Sequence, residues 1–503
     1  MSLAHPRELN LDFPEWRESQ IKEIEWLNRE VDLDNKILDD SSIYWLDEPH
    51  EKREINVLEA PTGTGKTGLI LGLAAINPSL RFLVLCATKL EQEQYVKNLI
   101  DEENADVVTV KGKNNFHCVM KHMRETGECV DNYCELTHVD EAPCETGYEC
   151  EIKSSCTYYE QRNYGRYVQV VITNYAYGLA VLNYMPEAYG LGHFDVIVSD
   201  EGHILDQQLE EFIKVKLNYR RVKQLFNLDL PRFDNKDDVP RWKEWVESHE
   251  EELEEAGREF YSVSREDMTK AQARRFIAVQ HYLAEFRKIT TMDYNWVVEA
   301  DSNGVEFQPV WVREESHKVL FKYSNRHIIM SGTIPSASEL GKKVGLKVSD
   351  FKFLRLPYTF PPENRPIIFK PRVSLARKVL DENLPTLVTA MDEEFEEWLK
   401  LRAVKLLIHS KTYKIGSYIK DFSSFRDIMF THNTANRLAV LEEFKTTSSP
   451  AVLVSPSFDK AVDLPGDQCE LIFVPKIPYE YMGTKVMRKR MAQNRRYYIH
   501  ETL

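Results

Sequence analysis

Short, nearly unbroken apolar runs recur along the chain at wide spacing. The first set is NVLEA ending at Ala60, RFLVLCA ending at Ala87, VQVVIT ending at Thr173, DVIVSD ending at Asp200 and HIIMSG ending at Gly332. Runs of this kind suit strands buried on both faces of a parallel sheet. Helical patterns lie between several of them, such as Lys66–Ile76 and Leu90–Ile100. The alternation predicts an α/β doubly wound architecture, with helices on both faces of the sheet. A second set follows: KLLIHS ending at Ser410, DIMFT ending at Thr431, AVLVSP ending at Pro456 and LIFVPK ending at Lys476. Between the sets, Pro357–Pro366 carries four prolines in ten residues and reads as a linker.

Two inserts interrupt the first set. One is a cysteine-rich loop, about Lys111–Glu160. The other, about Leu205–Tyr323, is helical in texture and strongly charged, with an acidic stretch over Glu244–Glu259. The expected organisation is therefore a first α/β domain over 1–110, 161–204 and 324–356, the two inserts at 111–160 and 205–323, and a second α/β domain over 357–503. A chain of 503 residues with 43% hydrophobic and 29% charged positions can bury several cores. The start, MSLAHPRELNLDFPEW, has no basic region followed by a long apolar run, and no stretch approaches ~18 uninterrupted apolar residues. The expectation is a cytoplasmic protein, with a nucleoid or nuclear location open, and no membrane partner. In such a compartment the eight cysteines should be free, catalytic or metal-bound. The net charge of −15 speaks against a nucleic-acid partner when taken as an average, so that question is decided locally.

The strongest motif is Ala60-Pro61-Thr62-Gly63-Thr64-Gly65-Lys66-Thr67, directly after a strand and opening a helix. That context is what a P-loop requires. Gly63 and Gly65 allow a sharp turn that points N–H groups at phosphate oxygens. Lys66 should reach the β- and γ-phosphates of ATP, and the Thr67 hydroxyl should bind Mg2+. The partner motif is Asp200-Glu201-Gly202-His203 after DVIVS. Asp200 at a strand's carboxyl end is placed to hold Mg2+, Glu201 to polarise the attacking water, and His203 to couple this site to another motif.

A P-loop lysine together with Asp-Glu-x-His resembles the DEAH-type helicases of superfamily 2. Arg17 and Gln20 in FPEWRESQ resemble the adenine-reading Arg-x-x-Gln of such motors. Ala87-Thr88 resembles their first DNA-backbone motif, and Ser331-Gly332-Thr333 the segment that couples hydrolysis to DNA movement. Lys111-Gly-Lys-Asn-Asn-Phe-His-Cys118, followed by Cys144, Cys150 and Cys156, resembles the XPD/DinG branch. In that branch four cysteines hold a 4Fe-4S cluster. The resemblance implies two RecA-like domains, an iron–sulfur insert and a helical arch insert framing a path for single-stranded DNA. Zinc would use the same thiolates, though no C-x2-C knuckle is present, and Cys129 and Cys134 are surplus to four ligands. Cys86 and Cys469 read as core thiols. Asn174 in VVITNYAYGL resembles the segment preceding the acidic motif. The aromatics Tyr158, Tyr159, Tyr164 and Tyr167, alternating with Arg162 and Arg166, have the composition that stacks single-stranded bases.

Phe360-Pro-Pro-Glu-Asn-Arg-Pro366 resembles the start of the second motor domain, His409-Ser410 a backbone-gripping motif, and Asp463-Leu-Pro-Gly-Asp467 a nucleotide-side motif in which Asp463 is the functional residue. Lys485–Arg496 has six basic residues and no acidic one, and reads as a phosphate-facing helix or an exposed basic face. The family's Gln-x-x-Gly-Arg-x-x-Arg motif is not seen before Leu503. The expected function is an ATP-dependent DNA helicase acting on single-stranded or forked DNA, with 5′-to-3′ travel and a repair or replication role implied by resemblance. The alternative is a truncated or split helicase that binds nucleotide and nucleic acid with little turnover, its last segment encoded separately.

Overall fold

The computed structural model describes residues 3–30, 53–61, 63–97, 99, 106–118, 153–185, 190–233, 239–258, 270–358, 360–458, 462, 464–477 and 482–494. The chain divides into two compact units. The first comprises Met1–Pro361 and Met482–His500, and the second Pro362–Tyr481 and Glu501–Leu503. The proline-rich segment 357–366 spans the break.

In the first unit the strands are β1 (Glu54–Glu59), β2 (Phe82–Cys86), β3 (Val107–Thr109), β4 (Val170–Asn174), β5 (Val196–Ser199), β6 (Val215–Asn218), β7 (Trp296–Ala300), β8 (Gly304–Pro309), β9 (Arg326–Ser331) and β10 (Phe351–Arg355). Seven form one sheet in the order β10-β1-β9-β5-β2-β4-β3. Every pairing in it is parallel. Every residue of β2 and β5 is buried, as their unbroken apolar runs require. Alternate residues feed two cores: Leu83, Leu85 and Ile197 on one face, Phe82, Val84 and Val198 on the other. Each such side chain contributes roughly 1.5–3 kcal/mol of transfer free energy, so the order of strand ends is held firmly. The edge strand β10 has no fully buried residue, which is why no apolar run marks it.

The helix Lys66–Ala75 is apolar all round and buried from Gly68 to Ala74. The N-terminal segment covers it. Phe13 lies where a Cβ on Gly68 would stand, and Trp16 does the same at Gly72. The Trp16 ring N–H donates to Ala4 O at 2.7 Å, pinning that cover.

The 205–323 insert contains the expected helices, among them Leu205–Ile213, Tyr219–Phe226, Val239–Ser248, Glu250–Arg258 and Lys270–Thr291. It also holds an antiparallel sheet in the order β6-β8-β7, which the helical reading missed. The signal is a period of two, buried-exposed-buried-exposed in β6, but over only four residues. The helix Lys485–Gln493 packs against this insert. Its Val486 and Met487 join Val297, Val310 and Trp311 in a small core. Arg490 is buried and ion-paired with Glu210, and its Nε donates to Val310 O at 2.6 Å. Lys485 and Lys489 donate to the carbonyls of Val298 and Trp296. Among the described basic residues of this run, read from the sequence as a phosphate-facing helix or an exposed basic face, Lys485, Lys489 and Arg490 are thus engaged by the insert.

The second unit holds β11 (Lys405–His409), β12 (Met429–Thr431), β13 (Ala451–Ser455) and β14 (Leu471–Phe473), in the order β12-β13-β11-β14. All its pairings are parallel. The helices Leu380–Phe395, Tyr413–Phe422 and Arg437–Thr446 accompany the sheet. Among the described residues no helix is long and apolar enough to cross a membrane.

Candidate nucleotide and coupling site

Strand order explains why residues far apart in sequence meet. The P-loop follows β1, the acidic motif follows β5, and β9 lies between them and ends at Ser331. Adjacent strands are about 4.8 Å apart, so β1 and β5 end within reach of one ligand. Gly63 and Gly65 take φ of 88° and 80°, in the left-handed region that glycine enters without strain. The Thr64 hydroxyl donates to Pro61 O at 2.8 Å, closing the turn. Lys66 and Thr67 open the helix half-buried, at the end where free N–H groups and the dipole favour anions. Thr62 lies outside the described residues.

Gln20 is buried beside this loop. Its amide donates to Gly65 O at 3.0 Å, and its Oε1 accepts from the Arg17 backbone N–H at 2.9 Å. A Cβ on Gly65 would run into Gln20 Nε2 and stand 3.9 Å from Arg17 Nη1. Arg17 and Gln20 are therefore at the P-loop, with Gln20 bracing the loop's backbone.

Asp200 is buried and held on every side. Its Oδ1 accepts from the Glu201 N–H at 2.8 Å, its Oδ2 from the Tyr95 hydroxyl at 2.9 Å, and its carbonyl from the Tyr175 hydroxyl at 2.7 Å. Burial pushes its carboxyl above the ordinary range, the Lys66 charge pulls it back, and Glu201 adds repulsion. Glu201 stands in the left-handed region at φ 49°. A Cβ on the following Gly202 would meet the Ile329 side chain, so the close approach of this turn to β9 requires glycine.

The coupling residues converge on Ser331. His203 Nδ1 lies 2.8 Å from Ser331 Oγ and 3.2 Å from Glu201 Oε2. The Ser331 hydroxyl is 3.4 Å from the same Glu201 oxygen. Ser331 O in turn accepts from the Ala60 N–H at 2.9 Å. Ser331 thus touches both nucleotide motifs, and Thr333 N–H donates back to its hydroxyl at 3.3 Å while Gly332 makes the bend between them.

Three groups here were not picked out from the sequence. Tyr95 and Glu91 come from the helix Lys89–Lys97. Glu91 accepts from the N–H groups of Ala87 and Thr88, and burial together with repulsion from Asp200 and Glu201 pushes it to about 7. Glu23, one turn after Gln20, is fully buried with neither oxygen hydrogen-bonded. Burial pushes it to about 8, against the opposing pull of Lys66. Only ordinary helical spacing marks these residues in the sequence.

The donor set fits Mg2+: a hydroxyl at Thr67 and a carboxylate at Asp200 are hard oxygen ligands, and the lysine faces the same strand ends. A divalent ion with ATP would supply electrophilic charge on the phosphates.

Cys118 and Cys156 are half-buried around the ring cluster of Tyr158 and Tyr159. Cys144 and Cys150, like Cys129 and Cys134, lie outside the described residues. Among the described residues no group of three metal-binding side chains occurs. Cys86 is buried in β2, as a core thiol should be. The aromatic run divides. Tyr158 and Tyr159 are buried, with Arg162 stacked over both rings, whereas Tyr164 and Tyr167 are exposed. Tyr164 and Tyr167 keep exposed ring surface, and Arg166 lies beside Tyr167. In the second unit His409 ends β11, Ser410 follows it and is buried, and Asp463 lies outside the described residues.

A P-loop, an acidic motif and a bridging serine on one parallel sheet, with a second parallel sheet following in the chain, define a P-loop motor with two RecA-like domains. The family described as type III restriction enzyme, res subunit, matches residues 13–230, and the helicase C-terminal domain family matches residues 390–501. The two matches fall on the first and the second parallel-sheet domain and support a helicase of the superfamily 2 type. Its fold is similar to that of a solved XPD helicase at 14% identity, over 95% of this chain and 88% of that one, with a TM-score of 0.55. The S. tokodaii Xpd4 structure is similar at 12% identity over 97% and 89%, with a TM-score of 0.53. No curated protein matches the sequence. The class is that of superfamily 2 DNA helicases, whose nucleotide is ATP with Mg2+.

Proposed function

We propose that this chain is a motor that couples ATP hydrolysis to travel along single-stranded DNA, acting on single-stranded or forked substrates in repair or replication. Travel from 5′ to 3′ and a cytoplasmic, nucleoid or nuclear location go with that reading. In it, Lys66 contacts the β- and γ-phosphates, Thr67 and Asp200 hold Mg2+, Glu201 orients the attacking water, and Arg17 and Gln20 face the adenine. Asp463 contributes from the second domain. Cys118, Cys144, Cys150 and Cys156 hold a 4Fe-4S cluster, and Tyr164, Tyr167 and Arg166 stack against bases. The observation that carries the reading is the Ser331 bridge. A serine bonded to the P-loop on one side and to His203 and Glu201 on the other is placed to move when the nucleotide site closes.

The test is phosphate release with and without single-stranded DNA. Lys66→Ala should abolish the DNA-stimulated turnover while leaving the melting temperature unchanged. Undiminished stimulated hydrolysis in that variant overturns the reading, as does DNA binding by the wild type without turnover.

A further inference from the structure

The helix Lys89–Lys97 makes two polar contacts from one face. Glu91 and Tyr95 are four residues apart, so their side chains stack one turn above the other, and both are buried. The Glu91 carboxylate accepts from the N–H groups of Ala87 and Thr88 at 2.7 and 3.1 Å. The Thr88 hydroxyl accepts in return from the Glu91 N–H at 3.2 Å. This reciprocal cap fixes the loop to the helix start. One turn later the Tyr95 hydroxyl donates to Asp200 Oδ2 at 2.9 Å. Because Asp200 Oδ1 is held by the Glu201 N–H, this second donor removes the carboxylate's freedom to rotate. A buried hydroxyl beside a carboxylate is retained only with a partner of this kind.

We infer that Tyr95 and Glu91 are positioning residues that link the Ala87–Thr88 loop to the Asp200 carboxylate through one rigid helical turn, so that nucleic acid seated on the loop alters the seat of the divalent cation. The inference rests on the reading above, in which that loop faces DNA and Asp200 faces Mg2+. The turn is short, and every contact in it is a hydrogen bond to a backbone group or a carboxylate. A shift of the loop therefore has little slack to absorb it before it reaches Asp200.

The experiment uses the full chain and a fluorescent, non-hydrolysable ATP analogue. Its affinity is titrated with Mg2+ and with EDTA, each with and without an oligothymidine strand. In Tyr95→Phe the gain in affinity from Mg2+ should fall about tenfold, the scale of one lost hydrogen bond to a charged group. The effect of DNA on that affinity should disappear. Affinity in EDTA and affinity for the strand itself should stay as in wild type, which also reports that the variant is folded. Glu91→Met breaks the link at its other end, and should keep the Mg2+ gain while losing the DNA effect. Wild-type behaviour in Tyr95→Phe overturns the inference, and so does a reduced Mg2+ gain with the DNA effect intact. A wild type that shows no Mg2+-dependent nucleotide binding overturns the motor reading itself.

Discussion

Glu201 and Glu23 show how differently one residue type is used a few ångströms from a phosphate site. Glu201 is half-exposed, held in the left-handed region, and shares an oxygen with the Ser331 and His203 contacts. Its position suits general-base work, so Glu201→Gln should retain ATP affinity and lose roughly 10²–10⁴ in turnover, measured by phosphate release. Unchanged turnover would assign the base elsewhere. Glu23 has no such outlet. A carboxyl raised to about 8 by burial favours the folded state only while protonated. The stability it contributes is complete below the ordinary carboxylate range and is lost as pH rises toward that value. Glu23→Gln removes the loss. It should melt higher than wild type near pH 8, by about 2–4 °C for each kcal/mol recovered, and no higher near pH 5. Equal melting temperatures at pH 8 would mean that the carboxyl is hydrated.

At the scale of elements, the helix Lys485–Gln493 is the clearest case of structure reassigning a sequence pattern. Its basic run is read from composition as a nucleic-acid face, yet Arg490 is buried against Glu210 and stacked on Trp311. Glu210 also accepts from Gln308 and lies 3.8 Å from Lys214. It belongs to the helix that begins directly after the acidic motif. Breaking a buried pair leaves an uncompensated charge, at a cost of about 3–5 kcal/mol, whereas replacing both partners is close to neutral. Arg490→Met should therefore lower the melting temperature clearly, and the Glu210→Met, Arg490→Met double variant should recover most of it. A full loss in both variants would place the effect in packing rather than in charge. The same helix keeps Arg488 outward, so any DNA contact from this run is carried by fewer cations than the sequence counts.

For the whole molecule, the net charge of −15 is an average over unlike parts. Glu250, Glu251, Glu252, Glu254 and Glu255 are all exposed on one helix of the insert, remote in sequence from every nucleotide motif. Acidity there raises no objection to a nucleic-acid partner elsewhere. The cysteines pose the other whole-molecule question. Cys118 and Cys156, 38 positions apart in the chain, are gathered around one pair of tyrosine rings. A 4Fe-4S cluster on these and Cys144 and Cys150 predicts a brown anaerobic preparation with about four irons per chain and matching sulfide. Colourless protein with stoichiometric zinc would sink it.

Seven of the nine apolar runs were legible as strands because strands buried on both faces must be apolar throughout; β12 and β14 were legible from their apolar residues although they are only partly buried. The P-loop was legible because phosphate binding needs glycines and a lysine at set spacing. Strands without such a run were not. β6 has four residues and β10 has no buried face, so neither carries a periodic signal strong enough to read. By itself the sequence determined the fold class, the two parallel sheets and the positions of Lys66, Asp200, Glu201 and Ser331, since these depend on local pattern. Only the tertiary structure decided that Ser331 lies between the two nucleotide motifs, that Tyr95 holds Asp200, and that Arg490 is buried rather than facing phosphate. These depend on strand order and on which helix face meets the core, which are properties of contacts between distant segments and leave no local pattern in the chain.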